Sequence, residues 1–166
     1  AKIWDLASGK EIRNLQGHTS SVSSVVFSPD GERLATGSDN AKIWDLASAK
    51  QILSLQIHES SISSVAFSLD GKRIATGSYD KSAKIWDLNS GKEILNIQGH
   101  TSSVISVTFS LDEKRLATGS EDNSAKIWEI NPERIIQKVN KNRRLSPLSS
   151  SQLMSYNLET LLDLHP

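Results

Sequence analysis

One four-residue string, Ala-Lys-Ile-Trp, occurs four times in this chain, and its spacing constrains the fold more than any other feature. The copies begin at Ala1, Ala41, Ala83 and Ala125, which gives a period of about 40 residues. That period is typical of arrays in which each unit packs only on its neighbours, and it exceeds the period of ankyrin or tetratricopeptide units. Stripes of helical period are absent from the sequence of residues 1–140. We therefore predict an all-β array.

Each unit has the pattern of four short strands separated by turn residues, with apolar residues at alternate positions. The predicted first strands cover 22–27, 62–67 and 104–109. The second strands begin at Arg33, Arg73 and Arg115, and the third strands contain the Ile-Trp pair. The predicted fourth strands cover 51–55, 93–97 and 134–139. Adjacent Ile and Trp point to opposite faces of a strand, so both faces of each sheet need apolar cover from a neighbouring unit.

Two dipeptides recur within this array. Gly-His stands at 17–18 and 99–100, and Trp-Asp at 44–45 and 86–87. Residues 1–140 resemble the WD-repeat β-propeller family in these marks. The resemblance implies a propeller arc of four-stranded antiparallel blades, three complete and one partial at the N-terminus. The expected ranges are the last two strands of a partial blade at 1–16, blades at 17–56, 57–98 and 99–140, and a linker and tail at 141–166.

The resemblance also implies a buried hydrogen-bonded set of histidine, threonine, aspartate and tryptophan in each blade. The members are His18, Thr36, Asp39 and Trp44; His58, Thr76, Asp80 and Trp86; and His100, Thr118, Asp122 and Trp128. An indole N–H only donates, a threonine hydroxyl relays, and a carboxylate fixes the tautomer of an imidazole. A hydrolytic triad built on His100 and Asp122 is the alternative, but a nucleophile needs one singular exposed site and this set recurs in every blade. We therefore predict a structural role and no catalytic residue.

The first full unit departs from the pattern, because the segment between Thr36 and Trp44 is two residues shorter than its counterparts. A loss of two residues preserves the pleat, so Trp44 keeps its side of the strand. Asp39 is expected to sit imperfectly against His18. Ile57 in place of glycine, Glu113 in place of the turn glycine and Glu129 after Trp128 predict only local adjustments.

In the family, partners most often bind the face formed by the loops around the central channel. Position by position, this face corresponds to Ser21, Ser23, Ser38, Ser61, Ser63, Tyr79, Ser103, Ile105 and Glu121. The units are otherwise near copies, so we expect Tyr79, Ile105 and Glu121 to determine specificity, unless they are ordinary solvent-facing substitutions. The predicted function is a protein–protein interaction scaffold for peptides or domains. The alternative is a sensor or regulatory region of a larger bacterial signalling ATPase or protease.

The composition of the chain limits the classes of partner and the cellular compartment. The chain has 19 basic and 19 acidic residues, a balance that argues against nucleic-acid binding. It contains no cysteine, which favours a cytoplasmic location. No apolar run reaches the roughly 20 residues of a membrane span. We predict protein or peptide partners, with no nucleic acid, membrane, metal or cofactor.

The ends of the chain carry two further expectations. After Asn140 a serine-rich linker precedes a possible short helix, in which Asn157 caps a stripe of Leu158, Leu161 and Leu162. The chain begins within the repeated motif, so we expect a fragment of a longer array. An open arc leaves apolar blade faces uncovered, which predicts self-association.

Overall fold

A computed structural model describes residues 1–55 and 58–131. These residues form thirteen strands and no helix. The strands are β1 (Lys2–Trp4), β2 (Glu11–Asn14), β3 (Ser24–Phe27), β4 (Arg33–Gly37), β5 (Ala41–Asp45), β6 (Lys50–Leu55), β7 (Ile62–Phe67), β8 (Arg73–Ser78), β9 (Ala83–Asp87), β10 (Glu93–Ile97), β11 (Val104–Phe109), β12 (Arg115–Ser120) and β13 (Ala125–Glu129).

The strands form four sheets in which sequence neighbours are hydrogen-bonded neighbours. β3 to β6 and β7 to β10 are four-stranded sheets, β11 to β13 form a three-stranded sheet, and β1 pairs with β2. All pairings are antiparallel. The predicted all-β propeller architecture of antiparallel blades is therefore confirmed. The predicted fourth strand at 134–139 and the C-terminal helix lie outside the described residues, and the exact blade ranges stay a prediction.

Consecutive sheets pack face to face, and apolar residues fill each junction. Between the first two blades the core consists of Ala35, Ala41, Ile43, Leu55, Ile62, Val65, Ile74 and Trp86. Between the next two blades it consists of Ala75, Ala83, Ile85, Leu95, Ile97, Val104, Val107, Leu116 and Ile130. Leu15 of the N-terminal pair packs with Leu34 and Trp44. The Ile and Trp of one strand thus contribute to different junctions, as their alternation predicts.

Glycines near the ends of β4 and β8 allow this close packing. A Cβ atom on Gly77 would lie 2.9 Å from the Cγ1 atoms of both Val104 and Val107. The same addition to Gly37 would meet Cγ2 of Ile62 at 2.8 Å. Such distances are too short for carbon atoms, so the absence of a side chain sets how closely adjacent blades approach.

Serine hydroxyls add directional bonds across the junctions. The Oγ atom of Ser24 accepts a hydrogen bond from the amide of Val65 at 3.1 Å, and that of Ser64 accepts one from the amide of Val107 at 3.2 Å. The same strand position therefore forms the same bond at two successive junctions. These bonds fix the register between blades as well as their separation.

A charged pair, Arg73 and Glu113, links the second and third blades at the edge that carries the turn between the first two strands of each blade. Glu113 occupies a left-handed backbone conformation with φ of 55° at the turn position where Gly71 stands in the second blade. Its carboxylate accepts a hydrogen bond from the amide of Asp70 at 2.8 Å and pairs with Arg73 at 3.1 Å. Glutamate at this turn position thus adopts a backbone conformation that favours glycine. In return, its carboxylate contacts Asp70 and Arg73 of the neighbouring blade.

The first blade differs in one strand boundary. β3 begins at Ser24, so the predicted first strand at 22–27 is two residues too long. The shortened hairpin explains the difference, because the amide of Ser38 bonds to the carbonyl of Asn40 at 3.0 Å. β4 therefore ends at Gly37, whereas β8 extends to Ser78 and pairs with Ile62.

Candidate functional site

The second blade contains a continuous chain of four hydrogen-bonded side chains. Nε1 of Trp86 donates to Oγ1 of Thr76 at 2.9 Å. The same hydroxyl lies 2.8 Å from Nε2 of His58. Nδ1 of His58 lies 2.7 Å from Oδ2 of Asp80. Strands β8 and β9 supply Thr76 and Trp86, whereas the other two residues come from the loops before β7 and after β8, so the chain ties both loops to the sheet.

The direction of these bonds follows from the charge state of Asp80. Burial is the largest influence on its pKa and raises it, but hydrogen bonds from Ser82 and His58 outweigh burial, so the pKa of Asp80 is lowered. The carboxylate is ionised and only accepts, which places the hydrogen of His58 on Nδ1. Nε2 then accepts from the hydroxyl of Thr76. Burial also lowers the pKa of His58 against the opposing effect of Asp80.

The third blade repeats this geometry closely. Trp128 donates to Thr118 at 2.8 Å, and Thr118 and Asp122 each lie 2.7 Å from a ring nitrogen of His100. Hydrogen bonds, first from Ser124 and then from His100, lower the pKa of Asp122. The imidazole and indole rings meet edge to face with centroids 6.1 Å apart, a favourable arrangement for aromatic pairs.

In the first blade the chain of bonds is incomplete. Trp44 donates to Thr36 at 2.8 Å, and Thr36 lies 2.6 Å from Nε2 of His18. Nδ1 of His18 is 3.7 Å from the nearest carboxylate oxygen of Asp39 and is buried without a hydrogen-bond partner. Asp39 instead accepts a bond from the hydroxyl of Thr19 at 2.8 Å. The two-residue deletion moves the carboxylate out of reach while the tryptophan end of the set is unchanged.

Three candidate partner-binding residues, Tyr79, Ile105 and Glu121, have exposed side chains. The amide of Tyr79 bonds to the carbonyl of Ser61 at 3.1 Å, and that of Glu121 bonds to the carbonyl of Ser103 at 3.0 Å. The side chains of Tyr79 and Ile105 are exposed, at 46% and 48%, and Glu121 is exposed as well. The backbone at these positions is thus held by the sheet while the side chains face solvent.

Ser38 does not belong to this exposed group. It is 1% exposed, and its carbonyl accepts a hydrogen bond from the amide of Ile62 in the next blade at 2.6 Å. Its burial therefore does not favour Ser38 as a partner contact. The shortened hairpin places it at the junction between blades. Ser21, in contrast, is exposed.

Ser23 and Ser63 also act at blade junctions. The hydroxyl of Ser23 donates to the carbonyl of Ile62, and that of Ser63 donates to the carbonyl of Val104. These hydroxyls thus donate to backbone carbonyls across the junctions, while Ser23 keeps an exposed surface, and the role of both serines as partner contacts stays a prediction. The recurrence of serine at this position in two units, with Ile105 in the third, was the signal that sequence reasoning missed.

A polar pocket of about 320 Å³ lies beside the set in the second blade. Its lining residues are His58, Glu59, Asp80, Ser82, Lys84, Asn96 and Gln98. The ionisable groups that reactions most often use are already paired here, since His58 contacts Asp80 and Lys84 pairs with Glu93 at 2.8 Å. Within residues 1–55 and 58–131, no cluster of three or more potential ligand side chains is placed to bind a metal ion. The same residues include no helix with the length and apolar character that crossing a membrane requires.

Sheets of antiparallel strands stacked face to face, with a recurring set of histidine, threonine and tryptophan, define a propeller-type repeat protein. The family model described as WD domain, G-beta repeat matches residues 9–45, 49–87 and 91–129. This chain belongs to the WD-repeat family, whose repeats generally form protein-interaction domains. Each matched segment covers the last strand of one sheet and the first three strands of the next. The sequence repeat therefore spans the junction between two blades.

Curated relatives match over a shorter stretch. Coronin-7 from Rattus norvegicus and Coronin-7 from Mus musculus are each 51% identical to this chain over 35 residues. The matched stretch covers 21% of this chain and 4% of each relative. The likeness therefore concerns about one repeat, and this chain spans only a small part of those proteins.

Proposed function

We propose that this chain is a protein–protein interaction scaffold that binds peptides or domains without catalysis. One observation carries the proposal: in the second and third blades the histidines and their aspartates are engaged in hydrogen bonds within the blade. The side chains that differ between blades, Tyr79, Ile105 and Glu121, are exposed. The same hydrogen-bonded side chains recur inside both blades while the exposed side chains differ between blades, which favours recognition by shape and contact.

The proposed partners are proteins or peptides. The balanced charge of the whole chain provides no strong field for nucleic acid, and the proposal includes neither a membrane nor a cofactor. The cytoplasm, which the lack of cysteine favours, is the proposed compartment.

The experiment compares affinity capture by the wild-type chain with capture by a Tyr79→Ala, Glu121→Ala double variant, with quantitative mass spectrometry of bound proteins. A matched control, Leu69→Ala with Asp112→Ala, changes exposed residues in the turns after β7 and β11, at the other end of the strands from Tyr79 and Glu121. We expect the loop variant, and not the control, to lose specific partners. Retention of every partner by the loop variant would count against this face.

The alternative function is a sensor or regulatory region of a larger bacterial signalling ATPase or protease. It requires an effector module in the coding sequence that adjoins this array. Determination of the flanking sequence separates the two functions, because a scaffold needs no such module.

A further inference from the structure

The loops before β3, β7 and β11 and the turns after β4, β8 and β12 lie at one edge of the arc, because neighbouring strands are antiparallel. We define this edge as the loop face. On it, backbone bonds from Tyr79 to Ser61 and from Glu121 to Ser103 hold the turns against the loops. The hydroxyl of Ser120 adds a bond to the carbonyl of Ser102 at 3.0 Å. A partner would therefore meet an ordered surface and lose little free energy by ordering it.

Two exposed apolar side chains lie on adjoining blades, one in a turn of this face and one at the start of β11 beside it. Tyr79 is 46% exposed and belongs to the second blade, and Ile105 is 48% exposed and belongs to the third. The two blades are joined directly beside them, since the hydroxyl of Ser63 donates to the carbonyl of Val104, the residue before Ile105. Most neighbouring exposed positions are polar or charged, among them Ser60, Ser61 and Thr101. Val22 in the loop before β3 is also exposed, at 36%, but Tyr79 and Ile105 are the large apolar groups that the adjoining second and third blades present near this face, within the described residues.

The charge on the loop face determines which partner fits. Within its described loops and turns the exposed charges are the carboxylates of Asp39, Glu59 and Glu121 and the ammonium group of Lys81, and the ammonium group of Lys126 reaches the carbonyl of Gly99. Hydrogen bonds also keep Asp80 and Asp122 ionised just behind them. The turns at the opposite edge, at 5–10, 28–33, 45–50, 68–73, 87–92 and 110–115, carry equal numbers of cationic and anionic side chains. The excess of negative charge is therefore specific to the loop face.

We propose that the loop face binds a peptide segment in which lysine or arginine stands next to an apolar side chain. The apolar group packs on Tyr79 and Ile105, and the cation lies against Glu121 and the face of the tyrosine ring, which attracts cations. This inference rests on the proposed scaffold function and adds the chemistry of the partner.

The test uses an array of short synthetic peptides whose net charge and apolar content vary systematically, probed with the purified chain. Peptides that bind are then titrated by fluorescence anisotropy against wild type, Tyr79→Ala, Glu121→Lys and the control Leu69→Ala. We expect binding to select peptides with both basic and apolar residues. The Tyr79 and Glu121 variants should each weaken binding about tenfold, whereas the control should leave it unchanged. Circular dichroism of each variant separates loss of binding from loss of folding.

The outcomes distinguish this inference from the scaffold function. If acidic and basic peptides bind equally and Tyr79→Ala weakens both, the scaffold function stands and the basic partner is refuted. If no peptide responds to either loop variant, or if only Leu69→Ala reduces binding, the loop face itself is refuted as the binding surface.

Discussion

At the scale of single residues, the threonine hydroxyl is the centre of each blade. Thr76 is fully buried and contacts both Trp86 and His58. The hydroxyl accepts a hydrogen bond from Nε1 of Trp86 and lies against Nε2 of His58. It therefore satisfies two buried polar atoms at once. The histidine therefore links a loop to the sheet through this hydroxyl, and we expect its role to be structural.

Thr76→Val keeps the shape of the side chain and removes this relay. Two buried polar groups are left without partners, so we expect the free energy of unfolding to fall by about 2 to 4 kcal/mol. Thr101→Val, at an exposed threonine of the next loop, is the control and should change stability little. Urea unfolding followed by tryptophan fluorescence measures both variants. Equal stability of Thr76→Val and wild type would show that the relay contributes nothing.

The lowered pKa values make stability depend on pH. The pKa of His58 is lowered in the fold, chiefly by burial, so the unfolded chain binds a proton more readily. Stability is then complete above the ordinary histidine pKa of about 6.5 and declines as pH falls below it. The lowered pKa of Asp80 adds a second loss below about pH 4. Urea midpoints measured from neutral pH downward should decrease, and a midpoint that rises towards pH 5 would contradict this account.

At the scale of the strand and sheet, the junction between blades is the unit that the sequence encodes. Small residues on one sheet receive large residues from the next, and serine hydroxyls bond to backbone across the gap. The family match starts in the last strand of one blade and ends in the third strand of the next. Each repeat therefore contributes to two sheets and links them covalently.

Gly77→Ala tests the close approach of blades. The new methyl group would overlap Val104 and Val107, so we expect a loss of about 1 to 3 kcal/mol of stability. Gly119→Ala is the matched control, because the nearest atom to its Cβ is the Cβ of Ser106 at 3.7 Å, an ordinary contact. Thermal denaturation compares the two. A Gly77→Ala protein as stable as Gly119→Ala would show that the blades are more widely spaced than described.

The strands follow from local sequence and the bonded sets from the resemblance to the WD-repeat family, whereas the junction contacts follow from neither. The recurrence of Ala-Lys-Ile-Trp and the alternation of apolar residues were enough to predict the sheets, and β7, β10 and β11 have the predicted bounds. Ser23 and Ser63 are predicted on the partner face by their offset from the blade histidine in the family, and such an offset shows only that a residue lies near a loop. It does not show which neighbouring carbonyl the hydroxyl reaches. Glu113 is similar, since its pairing with Arg73 depends on how two blades approach.

At the scale of the whole molecule, the described arc has apolar faces that lack cover. Val25 of the first blade is 58% exposed, whereas its counterpart Val65 is 6% exposed against the preceding blade. Phe27 is 56% exposed, whereas its counterpart Phe67 is partly buried. At the other end, Ile127 is 71% exposed, whereas its counterpart Ile85 is 2% exposed. At the junctions between described blades, the equivalent apolar faces are covered by a neighbouring blade. Another blade is therefore the kind of surface that would fit each exposed face.

We therefore expect the isolated chain to self-associate. Light scattering coupled to size exclusion should give a mass above that of the monomer that increases with concentration. Val25→Ser with Phe27→Ser should reduce association, because it makes one face polar. Leu69→Ser with Leu111→Ser changes exposed turn residues outside the blade faces and should have no effect. A monodisperse wild-type monomer that melts cooperatively would refute this expectation.

The central claim is that the blade histidines are held in structure, and imidazole nitrogen NMR of the ¹⁵N-labelled chain tests it most directly. His58 and His100 should each carry hydrogen on Nδ1 and present a bare Nε2 to threonine. We expect both histidines of the wild-type chain to show the ¹⁵N chemical shifts that are typical of this tautomer. In the Thr76→Val variant, His58 should no longer show them. Free exchange between tautomers, or hydrogen on Nε2 in both rings, would contradict the account.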